Sequence, residues 1–157
     1  MGNRAVITFK GAKEKDIGVY VHWNGGVECV EAFCAYCDLK GFRYPETDCY
    51  GLAYLTTIIG NYFGDGLSLG IDRLECLDTD NFDNGVYYIE KWKIVERSYK
   101  MPLETDKKLL YSYLVSINDC QGENIRVPKA KIISYCKKNN IPVPKEEKEE
   151  KEEKVEK

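Results

Sequence analysis

The sequence predicts an α+β protein: a small mixed or antiparallel sheet with two packed helices, a C-terminal helical extension and a charged tail. Three observations predict it. Two short segments with strand-like alternation, Arg4 to Lys10 and Ile17 to Trp23, open the chain. Two segments with apolar residues at helical spacing follow, over 27–40 and 48–63. A second strand-rich stretch then returns, and after Met101-Pro102 the pattern is helical.

The elements can be justified in order. In Arg4 to Lys10, Ala, Ile and Phe alternate with Val, Thr and Lys, and the polar turn Gly11 to Asp16 leads into Ile17 to Trp23, so the two segments read as a hairpin. Asn24-Gly25-Gly26 supplies residues that tolerate unusual backbone angles. Val27, Val30, Phe33, Cys34 and Cys37 form the apolar stripe of a first helix, with Gly41 placed to end it. Asp48 is placed to cap a second, which carries Leu52, Leu55, Ile58, Ile59 and Tyr62 and ends at Gly64-Asp65-Gly66. Leu67 to Ile71 reads as a short strand, with another short strand around Leu74 to Leu77. Asn84-Gly85 marks a turn before a long strand, Val86 to Tyr99, whose alternation slips near Glu90-Lys91 and predicts a bulge or break. Glu104 to Ile117 and Pro128 to about Asn139 read as the helices of the extension, stopped by Pro142 and Pro144. The resulting division is a core over 1–100, the helical extension over 101–143, and an unstructured Lys/Glu tail over 144–157.

Charge and composition narrow the functions. From residue 145 on, seven Glu and five Lys give the tail −2 of the formal −3, so the body is close to neutral. A tail of that composition cannot bury apolar surface. Neutrality of the body argues against nucleic-acid backbone binding, which needs a clustered basic face; Arg126, Lys129, Lys131, Lys137 and Lys138 read better as a solvated helix face. No apolar run is long enough to span a bilayer, and the first residues lack the apolar core of an export signal. The seven cysteines therefore read as free buried thiols in a reducing cytoplasm.

Two metal-like motifs fail on geometry. Cys29, Cys34 and Cys37 have the spacing of an iron–sulfur loop, but the intervening residues favour a helix. At about 1.5 Å per residue that helix would separate Cys29 from Cys37 by roughly 12 Å along its axis. Asp78 to Gly85 is rich in calcium-type ligands, yet Phe82 and Asp83 break the register and Ile89 stands where a closing Glu is required. No metal or cofactor is expected.

The densest polar-aromatic segment is Tyr20-Val21-His22-Trp23-Asn24-Gly25-Gly26, which contains the only histidine and one of two tryptophans. In a regular strand His22 shares the face of Tyr20. Twelve tyrosines in the chain add a composition suited to stacking or to protein contact. A ligand site is expected here, formed by Tyr20, His22, Trp23, Asn24, Gly25 and Gly26, with Arg4 or Arg73 as phosphate contacts.

Two resemblances bear on what such a site does. Thr47-Asp48-Cys49-Tyr50-Gly51-Leu52 resembles the nucleophile motif of NlpC-type cysteine peptidases, in which an Asp-Cys-Ser-Gly-like sequence opens a helix. Ile17-Gly18-Val19-Tyr20 with Asn24-Gly25 is similar to the histidine-bearing strand of that superfamily, in the order of its permuted members. That likeness implies a thiol hydrolase with Cys49 as nucleophile and His22 as the one available base. The pattern departs at Asp16, where the family carries its histidine, and at Tyr50, where it carries a small residue. The wider likeness covers about residues 3–97. Asn3 to Phe9, Gly18 to Gly26, Ile59 to Gly64 and Asp83 to Ile89 together resemble small proteins encoded by phages and prophages of Gram-positive bacteria. It implies a non-enzymatic accessory protein that acts in the host cytoplasm by binding, as an anti-defence factor. Its partner would be a host defence protein, contacted through aromatic anchors and the acidic residues Asp72, Glu75, Asp78, Asp80 and Asp83, or a nucleotide second messenger. Homo-oligomerisation stays open.

Overall fold

The computed structural model describes residues 2–64 and 68–145. Five strands form one mixed sheet in the order β3-β2-β1-β4-β5. They are β1 (Ala5–Phe9), β2 (Ile17–Val21), β3 (Leu69–Arg73), β4 (Val86–Glu90) and β5 (Lys93–Arg97). β1 pairs antiparallel with β2 and parallel with β4, and the two outer pairs are antiparallel. The helices are α1 (Val27–Leu39), α2 (Tyr50–Phe63), α3 (Lys107–Asp119) and α4 (Lys129–Lys138). The α+β architecture read from the sequence is the one observed.

Alternation along the strands divides the sheet into two unequal faces. Ala5, Ile7, Val19, Val21, Tyr87 and Ile89 point to the helices and join Val30, Phe33, Leu55, Ile58 and Ile59 in the main core. The opposite face carries a small cluster of Val6, Val86 and Leu74, with Tyr20, Leu77 and Tyr88 packed against it. Gly18 allows the 74–77 segment to lie on that face: a Cβ there would stand 2.7 Å from Leu74 Cδ2.

The helical extension continues the same core. α3 packs along α1, and α4 packs on α3. Leu110, Leu114, Ile117, Ile132, Ile133, Cys136, Ile141 and Val143 belong to one apolar cluster with the sheet. Tyr36 Oη donates to Asn118 Oδ1 at 2.7 Å inside it, and Asn118 also binds both backbone groups of Val127.

Four details differ from the sequence reading. The stretch 86–99 is a hairpin, because Lys91 and Trp92 adopt left-handed angles (φ 49° and 59°) and reverse the chain. The slip in alternation marked that turn; Trp92 holds it by burying its ring, 2% exposed, and donating from Nε1 to Phe42 O at 2.9 Å. Leu74–Cys76 is a 3-10 turn, not a strand. α3 begins at Lys107, capped by Asp106 Oδ1, three residues later than its apolar pattern suggested. The seven cysteines are free thiols, but Cys49, Cys76 and Cys120 are exposed. Asp65 and Gly66, read from the sequence as the stop of the second helix, Leu67, read as the start of the next strand, and the Lys/Glu tail from residue 146 lie outside the described residues.

Candidate functional site

One end of the sheet gathers the chain segments before β1, after β2 and before β4. The parallel pairing of Val6 with Val86 and the antiparallel pairing of Ala5 with Val21 force this convergence. Asn3 N donates to His22 O at 2.9 Å, Gly25 N to Asn3 O at 2.8 Å, and Tyr87 Oη to Gly25 O at 2.9 Å. Gly25 is required by this crossing, since a Cβ would stand 2.5 Å from Asn3 O. Asn24 takes a left-handed φ of 58°, and Gly26 forms the N-cap of α1, its carbonyl accepting from Val30 N.

Tyr20 and His22 do share a face, as the alternation predicts. Tyr20 Oη and His22 Nδ1 lie 2.9 Å apart, and the imidazole meets the Trp23 ring edge-on at 5.1 Å. Trp23 is 47% exposed. Arg4 joins them from β1's approach, but its guanidinium is committed: Nε donates to Asp83 Oδ2 at 2.7 Å, and a terminal nitrogen lies 3.6 Å from Asp78 Oδ2. The hydrogen bond to Asp83 raises the Arg4 pKa, and the same bond holds the Asp83 carboxyl below its ordinary value. Burial pushes the Tyr20 phenol up.

Arg73 is elsewhere. It pairs with Ile17, at the opposite end of β2, and its side chain lies on the helix-facing side and pairs with Glu75 at 2.7 Å. The arrangement therefore unites Arg4, Tyr20, His22, Trp23, Asn24, Gly25 and Gly26 and leaves Arg73 out.

Sequence reasoning singled out the acidic loop over 78–85 but did not place it beside the Tyr20–Gly26 segment, nor mark Phe82 within it. Asn81, fully buried, accepts through Oδ1 from the backbone N–H groups of Asp83, Asn84 and Gly85 at 2.9–3.1 Å, and donates to the carbonyls of Asp78 and Gly85. Asp80 accepts from Tyr99 Oη at 2.7 Å, and Tyr99 Oη in turn accepts from Phe82 N. The loop is a latch built from acidic and amide side chains, which is why it looks like a calcium loop without its register. Phe82 stands at its tip with φ 59° and 84% exposure. Phe82 thus presents an apolar ring to solvent from a left-handed backbone held by the Asn81 and Tyr99 hydrogen bonds.

The residues of the NlpC-like motif have separate structural tasks. Asp48 Oδ1 caps α2 by accepting from Tyr50 N, and Asp48 Oδ2 accepts from Arg43. Gly51 passes under Pro45, where a Cβ would stand 2.5 Å from the Pro45 Cα. Cys49 is exposed and lines a cleft of about 450 Å³ with Phe9, Asp16, Ile17, Leu52 and Ile71. That cleft adjoins the Ile17 end of β2. His22 lies five residues further along, about 16 Å at strand rise, so no imidazole reaches the thiol. Cys34 and Cys37 are sealed in the core, where burial pushes both thiols up. Among the described residues no group of three or more His, Cys, Asp or Glu side chains is placed to hold a metal, and no helix is long and apolar enough to cross a membrane.

Comparison with protein families, with curated proteins and with solved structures returned no match, so the reading of this site rests on its own geometry.

Proposed function

We propose that this chain is a non-enzymatic binding protein, a phage accessory factor of the anti-defence kind, that sets one end of its sheet against a host immune protein. The observation that supports it best is Phe82, an apolar ring 84% exposed on a loop locked by Asn81. Trp23 stands at the same end of the sheet as a second anchor. Aromatic side chains on rigid backbone are the usual hot spots of protein interfaces, because little conformational entropy is lost when they are buried. Asp78, Asp80 and Asp83 flank Phe82 in its loop, and the one cation paired with them, Arg4, leaves the loop net negative, which favours a partner with a basic rim.

A trap for a nucleotide signal draws less support. It needs cations free to meet phosphate, whereas Arg4 is held by two carboxylates and Arg73 lies at the far end of the sheet. A Cys49 hydrolase draws less again, for want of a base.

The test is a plating assay in hosts that each carry one immune system. The wild-type chain restores plating of a sensitive phage in at least one of them. Phe82→Ala combined with Trp23→Ala loses the effect, each truncation weakening the complex by about 2 kcal/mol or more, while thermal unfolding of the purified variant stays close to wild type. Full counter-defence by the double variant refutes this surface. A nucleotide-sized mass in native mass spectrometry, lost on denaturation, would return the argument to the trap.

A further inference from the structure

We propose that the outer edge of β3, together with the cleft beside α2, is a docking groove for an extended peptide segment of another protein, carrying an aliphatic side chain next to a basic one. The site is separate from the Phe82 end and does not rest on it.

The argument starts from the β2–β3 ladder. His22 N donates to Ser68 O, and Leu74 N donates to Asp16 O. In an antiparallel pair, bonded and non-bonded positions alternate. With Val19 opposite Ile71, the positions bonded to β2 are therefore 68, 70, 72 and 74. The backbone groups of Leu69, Ile71 and Arg73 point away from the sheet. Arg73 N is already taken by Asp72 Oδ1 at 2.7 Å, so that end is blunted. At Ile71 the outward N–H and C=O face an open edge, which is a template for another strand.

Side chains at these positions point to the helix-facing side, where Ile71 is 54% exposed and Ile17 41%. Both line the 450 Å³ cleft, with Phe9, Pro45, Leu52 and Ala53 supplying its other apolar walls. A strand added at Ile71 would lay alternate side chains over the exposed Ala53 of α2 and direct one into this cleft. Edge strand and helix thus make the two sides of one trough, backbone recognition on the first and side-chain selection on the second.

Charge selects the peptide. Asp16, Glu46 and Asp48 line the cleft, Asp48 already paired with Arg43 from outside it, and no basic residue lines it among the described ones. Glu46 Oε1 accepts from Lys91 N at 2.9 Å, but Glu46 Oε2 is buried without a hydrogen-bond donor. Leaving such an oxygen unpaired is costly. A Lys or Arg side chain entering beside the aliphatic one would meet the carboxylates of the cleft wall, and rotation of the Glu46 carboxylate would bring Oε2 to that donor.

The experiment is selection of a displayed library of random nine-residue peptides on the purified full chain, followed by titration of a synthetic peptide of the selected sequence. Expected is a consensus of alternating aliphatic residues with adjacent Lys or Arg. Binding weakens roughly tenfold in Ile71→Pro, which removes only an outward-facing N–H, and also in Ala53→Arg, which fills the trough. It is unchanged in Phe82→Ala with Trp23→Ala. Amide exchange at Ile71 slows on peptide addition, while Gly70 and Asp72, already bonded to β2, do not change. No consensus, or peptides bound equally well by both groove variants, overturns the proposal. A wild-type dimer in sedimentation that Ile71→Pro dissociates also overturns it, by assigning the edge to a second copy of the chain.

Discussion

At the scale of single residues, the Arg4–Asp83 pair shows how a charge expected to serve a ligand serves the fold instead. Asp83 accepts from both the backbone N–H and the Nε of Arg4, at 3.0 and 2.7 Å, and so fastens the Phe82 loop to the start of β1. Because these bonds favour the ionised carboxyl, its folded-state pKa lies below the ordinary 3.8. The contribution is therefore present above about pH 4 and is lost as pH falls through the depressed value. Asp83→Asn should flatten the acid limb of thermal stability below about pH 4; an unchanged acid limb would show that other carboxylates set it. The shared face of Tyr20 and His22 was legible in the sequence because strand alternation is a local rule. The commitment of Arg4 was not, since its partner lies 79 positions away in a segment with no periodic pattern.

At the scale of elements, every helix and strand had a local signal, and the departures fall where tertiary contact overrides it. The turn between β4 and β5 is the clearest. Two-residue hairpin turns favour Asn-Gly, because both central residues take positive φ. Lys91-Trp92 has neither residue, and the conformation persists because the Trp92 ring is buried and Glu46 accepts from Lys91 N. Trp92→Ala should therefore cost about 3 kcal/mol in denaturant unfolding. Lys91→Gly should be neutral or stabilising by up to about 1 kcal/mol, since it relieves a left-handed backbone while keeping the N–H. A large loss in Lys91→Gly would locate the turn's stability in the lysine side chain. The cap at Asp48 belongs to the same scale. It gave the second helix its start and also gave the chain its likeness to a catalytic motif, because a helix-opening Asp-Cys-x-Gly satisfies capping and close packing whether or not the thiol reacts.

At the scale of the whole molecule, the boundary read near residue 100 is a change of secondary structure within a continuous core. α1 is covered by the sheet on one side and by α3 on the other, and its Tyr36 reaches across to Asn118 of α3. A fragment ending at residue 100 should expose Tyr36, whose partner is Asn118, and fail to unfold cooperatively by near-ultraviolet circular dichroism; a sharp transition in that fragment would make the extension a separate domain. The sequence could show that the extension is helical, but not that α1 is apolar on two sides for two different partners. The mixed sheet has a further consequence, one of timing. β1 lies between β2, which follows it directly, and β4, whose Val86 is 80 positions after its partner Val6. At about 5–20 residues per second, a nascent chain carries β1 with one bare side for roughly 4–16 s before β4 is made. During that interval β1 is an edge strand on a growing polypeptide, so the demand this protein places on ribosome-associated chaperones is set by the order in which its strands are synthesised.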